Sequence, residues 1–130
     1  MELKSKLYLV DEEGEKFMGI GVLWLLQKIA SEKSLRKAAA DLGISYSKAY
    51  MMIRNLEASL GVPVVNRQKG GADRSGATLT VFGERFTELY GTFQKNAKER
   101  LEAPYESFKA SLAVLMDSVE QESDDGKKEN

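Results

Sequence analysis

The stretch from Ser34 to Gly61 constrains the fold more than any other, because two apolar runs at helical spacing are separated there by only a Leu-Gly-Ile-Ser turn. Ser34 is suited to cap a short helix whose apolar members are Leu35, Ala38, Ala39 and Leu42, and Gly43 stands where a left-handed turn must end it. Ser45 then caps a longer helix that runs to about Leu60. That helix carries Ala49, Met52, Ile53, Leu56 and Leu60 inward, and Gly61 stops it. A short helix, a tight turn and a longer helix have helix-turn-helix spacing, with the small Ala39 where the helices cross. An ordinary αα-hairpin shares this local pattern, so the flanking sequence has to decide between them.

Upstream, residues 4–10 place Leu7 and Leu9 on one side and predict a short strand, closed by the polar turn Asp11-Glu-Glu-Gly-Glu, as a hairpin or a lone strand. Residues 19–30 put Val22, Leu23, Leu26, Ile29 and Ala30 at helical spacing. Trp24 and Leu25 widen the apolar surface beyond one stripe. After Pro63 the pattern changes to two short apolar strands, at residues 64–65 and 78–80, joined by a basic, glycine-rich segment. Phe82, Phe86, Leu89, Phe93, Ala97 and Leu101 then form one stripe of a long helix. Pro104 is expected to end or kink it near Ala103, and a second stripe continues through Tyr105, Phe108, Leu112, Leu115 and Val119.

The expected fold class is therefore mainly α with a small β wing. It comprises a winged helix-turn-helix domain over residues 1–81, a C-terminal helical dimerisation segment over 82–121, and a disordered acidic tail over 122–130, which lacks large apolar residues. One domain of this size has limited surface to receive two long aromatic-rich helices, which favours packing between subunits. Trp24, Phe86, Leu89, Phe93, Leu101, Phe108 and Leu112 are the candidate dimer contacts.

The net charge of −1 conceals a division along the chain. Residues 34–85 hold eight basic side chains against four acidic ones, a net of +4, whereas residues 117–130 hold two against six, a net of −4. A basic middle offset by an acidic tail permits a local electrostatic footprint for an anionic partner. The sequence contains neither cysteine nor histidine, which removes thiolate nucleophiles, Ser-His and Cys-His pairs and the usual zinc sites. The carboxylates fall mostly on periodic helical faces or in the tail, so neither an enzyme nor a bound metal or cofactor is expected. The longest apolar run, residues 22–26, is too short to cross a bilayer, and the first residues lack a secretory pattern. A cytoplasmic protein is expected.

A helix-turn-helix followed by a basic hairpin has a shared use in binding duplex DNA, where the second helix enters the major groove and flanking groups hold phosphates. The side chains expected on its outward face are Ser45, Tyr46, Ser47, Lys48, Tyr50, Met51, Arg54 and Asn55. Arg54 and Asn55 suit bidentate base contacts, Ser47 and Lys48 phosphate or base, and Tyr46 a sugar or a thymine methyl. In the hairpin, Arg67, Lys69 and Arg74 supply positive charge and Gly70 and Gly71 allow close approach. Arg36 and Lys37 are candidate backbone contacts. Residues 71–78 nearly fit a phosphate-binding loop, G-x-x-x-x-G-K-[ST], but Ala77 stands where the lysine is required and no parallel-sheet pattern surrounds it.

From about residue 7 to residue 90 the sequence resembles the N-terminal DNA-binding domain of the ModE-type, LysR-related molybdate-responsive regulators. The likeness is carried by Ser34-Leu-Arg-Lys-Ala-Ala, by Gly43-Ile-Ser-Tyr-Ser-Lys-Ala-Tyr and by Gly70-Gly-Ala-Asp-Arg-Ser-Gly-Ala-Thr-Leu-Thr running into Phe82-Gly83. The resemblance implies operator binding as a two-fold dimer, with the recognition helix at residues 45–55, the wing at 67–76 and subunit joining by the helix at 82–101. ModE-type proteins continue into small β-barrel repeats that bind molybdate, and helix with an acidic tail stands here instead, so molybdate sensing is not carried over. The expected function is a homodimeric, sequence-specific transcriptional regulator of double-stranded DNA on a pseudo-palindromic operator, with any small-molecule effector unknown. The alternatives are a winged-helix protein-interaction module and an architectural DNA binder without sequence preference.

Overall fold

The computed structural model describes residues 1–67 and 76–128. Its elements run β1 (Tyr8–Val10), β2 (Lys16–Gly19), α1 (Ile20–Glu32), α2 (Leu35–Asp41), α3 (Tyr46–Leu60), β3 (Val65–Arg67), β4 (Ala77–Leu79), α4 (Val81–Glu99) and α5 (Glu102–Lys128). Two compact units are present, one spanning Ser5–Gln94 and the other Met1–Lys4 with Lys95–Asn130. The first unit thus reaches past residue 81 into α4, because Gly83, Tyr90 and Gln94 on that helix are buried.

The N-terminal strand is shorter than alternation predicts and begins at Tyr8. It pairs antiparallel with β2 as a hairpin in which Leu9 faces Met18. Asp11 organises the turn, its Oδ1 accepting from the N–H of Glu13 at 2.9 Å and of Glu15 at 3.0 Å. Both predicted caps are present: Ser34 Oγ accepts from Lys37 N at 3.2 Å, and Ser45 Oγ from Lys48 N at 3.0 Å. Gly43 and Gly61 adopt the left-handed conformation, with φ of 69° and 73°. These local signals delimit α2 and α3, and the apolar faces between them supply the core.

That core is built on α1. Leu23, Leu25, Leu26 and Ile29 are buried on it and pack with Leu35, Ala38 and Ala39 of α2 and Ala49, Ile53 and Leu56 of α3. Each fully buried Leu or Ile contributes roughly 1.5–3 kcal/mol relative to exposure, so the three-helix contact is the main source of stability. Leu25 belongs to this core and is unavailable to a partner, contrary to the expectation that it widens an outer surface, whereas Trp24 beside it is 52% exposed. Ala30 is also exposed.

β3 and β4 pair antiparallel with Val65 opposite Leu79 and Arg67 opposite Ala77, and Ser34 bridges to Gly76. The pair is fastened to the helices at both edges. Ala77 N donates to Lys33 O at 3.2 Å on one side, and on the other the Glu57 carboxylate accepts from Val64 N at 2.8 Å and Val65 N at 3.3 Å. Hydrogen bonds to a charged acceptor are worth about 1.5–3 kcal/mol. Glu57→Ala is accordingly expected to lower stability by about that amount, measured by urea unfolding, and to speed amide exchange at Val64 and Val65.

Thr80 starts α4, its Oγ1 accepting from Gly83 N at 2.8 Å and donating to Pro63 O at 2.9 Å. Along the helix Phe82, Phe86, Tyr90 and Phe93 form an aromatic ladder with ring centroids 5.8–6.3 Å apart. Burial pushes the Tyr90 phenol above its ordinary pKa. The helix ends at Glu99, before the expected break near Ala103, and Pro104 sits in the first turn of α5 instead. Proline is tolerated there because its missing N–H has no helical partner to lose. α5 then runs through Lys128, where disorder is expected from residue 122. Its last turns are rich in Glu, Gln, Asp and Lys, and Glu, Gln and Lys favour helix without any packing partner.

Candidate nucleic-acid interface

The inward side of α3 is fixed by Ala49, Ile53 and Leu56, all fully buried, and helical geometry turns the opposite side out. Ser47, Met51, Arg54 and Asn55 are exposed there, with Ser45 and Tyr46 exposed at the N-terminal end. Lys48 and Tyr50 lie on the two flanks of this ridge rather than on its crest. The Tyr50 flank faces the wing strand, and the Lys48 flank faces the N-terminal hairpin.

On the wing flank, the Arg67 guanidinium carbon lies 4.3 Å from the centroid of the Tyr50 ring, within cation–π range. Arg54 Nη1 approaches Tyr50 Oη at 3.4 Å, a long hydrogen bond. The phenol is held below its ordinary pKa, first by the hydrogen bond from Arg54 and then by Arg67. Two arginines therefore share one tyrosine at the border between α3 and β3. At the other end, Arg36 of α2 stands over the Tyr46 ring at 5.1 Å. Arg36 and Lys37 are both exposed. Lys69, Gly70, Gly71 and Arg74 fall outside the described residues.

On the hairpin flank the structure brings in side chains that periodicity does not single out. Lys6 and Lys16 join Lys48 and Asn55 around a cleft of about 330 Å³ floored by Phe17, Val22 and Met52. Lys16 Nζ sits 4.3 Å from the Tyr8 ring centroid. Nothing local in the sequence announces this meeting, since it depends on how β2 packs against α3.

Of the candidate dimer contacts, Trp24, Leu89, Phe93 and Phe108 are exposed, while Phe86, Leu101 and Leu112 are half-buried. Among the described residues no cluster of acidic side chains is suited to hold a metal ion, and no helix is long and apolar enough to cross a membrane.

Comparison with known proteins places this geometry. Residues 21–84 match the family of bacterial regulatory helix-turn-helix proteins of the lysR type. Residues 21–84 form a LysR-type helix-turn-helix domain. Its winged helix-turn-helix fold is shared with solved LysR-type structures. It covers 63% of this chain and 27% of full-length CbnR in complex with its target DNA, with a TM-score of 0.53 and 26% identity. It covers 65% of this chain and 93% of the BenM DNA-binding domain bound to benA site 1 DNA, with a TM-score of 0.51 and 25% identity. In sequence it is 33% identical over 95 residues to the molybdenum-pterin-binding protein MopB of Rhodobacter capsulatus, covering 73% of this chain and 34% of that protein. It is 38% identical over 66 residues to the DNA-binding transcriptional dual regulator ModE of Escherichia coli K12, covering 51% of this chain and 25% of ModE. The chain thus spans about a quarter to a third of these curated relatives. The LysR-type match begins at Gly21, so the β1–β2 hairpin lies ahead of it.

Proposed function

We propose that the chain is a sequence-specific double-stranded DNA-binding regulator of transcription, acting in the cytoplasm as a homodimer on a pseudo-palindromic site. The observation that carries this reading is the exposed ridge of α3 in a LysR-type domain. Ser47, Met51, Arg54 and Asn55 stand outward there, with Arg67 of the wing strand beside them. The crest suits base edges in the major groove, and the arginine-rich flank suits the phosphates that border it. The exposed apolar residues of α4, Leu89 and Phe93, supply the surface through which two copies join.

A winged-helix module that binds a protein partner has less need of arginine on both the reading helix and the wing strand, which sets that alternative second. Selection of bound fragments from a random duplex pool at near-physiological salt tests the proposal. An enriched inverted repeat with half-sites about one helical turn apart supports it. Salt-dependent binding without enrichment would leave an architectural role, and no DNA binding at all would leave the protein-interaction module.

Arg54 and Arg67 are expected to behave differently on the enriched site. Arg54→Ala should cost about 1–3 kcal/mol of binding and relax the preference at one base position, whereas Arg67→Ala should weaken all sequences about equally. Titrating both variants against the site and its single-base variants separates the two effects.

A further inference from the structure

We infer that the N-terminal hairpin and the residues leading into it form a second DNA-contacting flank, with Lys6 and Lys16 binding backbone phosphates on the side of α3 opposite the wing. The inference rests on the DNA-binding role proposed above and extends it to a segment ahead of the LysR-type match, which begins at residue 21.

Three observations support it. First, Lys6, Lys16 and Lys48 border a single cleft whose lining also includes Asn55, so the hairpin lysines stand beside a helix whose outer ridge is offered to DNA. Second, no carboxylate lines that cleft, and the salt bridges among the described residues, Lys28 with Asp41 and Lys109 with Glu106, leave all three lysines without an acidic partner. Gathering like charges without a counter-charge is unfavourable in the free protein and is relieved when an anion arrives. Third, the acidic side chains of the hairpin, Asp11, Glu12, Glu13 and Glu15, are confined to its turn and stay outside the cleft lining, and Asp11 there bonds the backbone of Glu13 and Glu15. The Tyr8 ring beneath Lys16 limits where its ammonium can go, which lowers the entropy lost on contact.

A duplex lying along the ridge of α3 presents one phosphate backbone to each side of the helix. Arg67 meets one, and Lys48 with Lys6 and Lys16 meets the other. Such contacts add affinity without sequence preference and release condensed counterions, so their number is read from the salt dependence of binding.

The test is titration of a fixed duplex against the parent, Lys6→Ala/Lys16→Ala and Lys16→Glu at several salt concentrations, with Lys28→Ala as a control distant from the cleft. All replaced side chains are solvent-facing or half-exposed, and circular dichroism checks that each variant is folded. The double variant is expected to lose affinity roughly three- to thirty-fold on specific and scrambled duplexes alike, with the salt slope reduced by about one to two units. Lys16→Glu should weaken binding further than Lys16→Ala, and Lys28→Ala should match the parent. An unchanged slope in the double variant, with the parent binding normally, would overturn the hairpin contact alone. A parent that binds no duplex would overturn the DNA-binding role and this inference together.

Discussion

Gly83→Ala is expected to be strongly destabilising for a substitution that adds a single methyl group. A Cβ on Gly83 would lie 2.1 Å from the carbonyl oxygen of Val64 and 2.9 Å from its carbonyl carbon, far inside contact distance and against backbone on both counts. No side-chain rotation relieves such a clash. Either α4 moves away from the strand, or the Val64 peptide tilts and gives up its bonds to Glu57 and Thr80. Overpacking of this kind costs about 3 kcal/mol, at the upper end of its usual range. In a domain of this size that corresponds to a fall of roughly 10–20 °C in melting temperature. Thermal unfolding followed by circular dichroism measures it. Gly91→Ala on the same helix is the comparison, because its nearest neighbour would be Leu23 Cδ1 at 4.0 Å, an ordinary contact, and it should unfold close to the parent. A Gly83→Ala protein as stable as the parent would show that α4 and β3 are not packed so closely.

The second large effect is expected in association. Leu89 is 72% exposed and Phe93 48% exposed on α4, so replacing both with aspartate removes the apolar surface proposed to join two copies without opening the core. Sedimentation should show a monomer with unchanged helix content. Because two linked reading helices gain from effective concentration, affinity for an inverted repeat should fall by about two to four orders of magnitude. Affinity for an isolated half-site should change far less. A double variant that stays dimeric would place the subunit contact elsewhere, with Trp24 and the apolar residues of α5 next to be replaced.

The parts of this fold that were legible in the sequence are those that local chemistry controls. Ser34, Ser45, Gly43 and Gly61 punctuate α2 and α3 through bonds and backbone angles within a few residues, and the observed helices begin and end beside them. What the sequence did not disclose depends on distant partners. Gly83 looks like an ordinary helix glycine until Val64 is seen beneath it, and Tyr90 belongs to no apolar stripe until α4 is docked. Leu25 reads as surplus because α1 is covered on more than one side, by α2, by α3 and by the wing strand β4. The α3 ridge was legible as a surface because its buried side is so regular. The hairpin lysines were not, since alternation in a short strand says nothing about which helix it will lie against.

Val64 separates what holds this domain together from what it exposes. One residue accepts from the start of α4 through its carbonyl, donates to Glu57 near the far end of α3 through its N–H and admits only a glycine above it, yet none of those ties touches Ser47, Met51 or Asn55. The atoms that hold the junction are therefore separate from those proposed to face DNA. Substitutions at Ser47, Met51 or Asn55 on the crest of α3 are expected to cost little stability, whereas substitutions at Gly83 or Glu57 loosen the junction beneath.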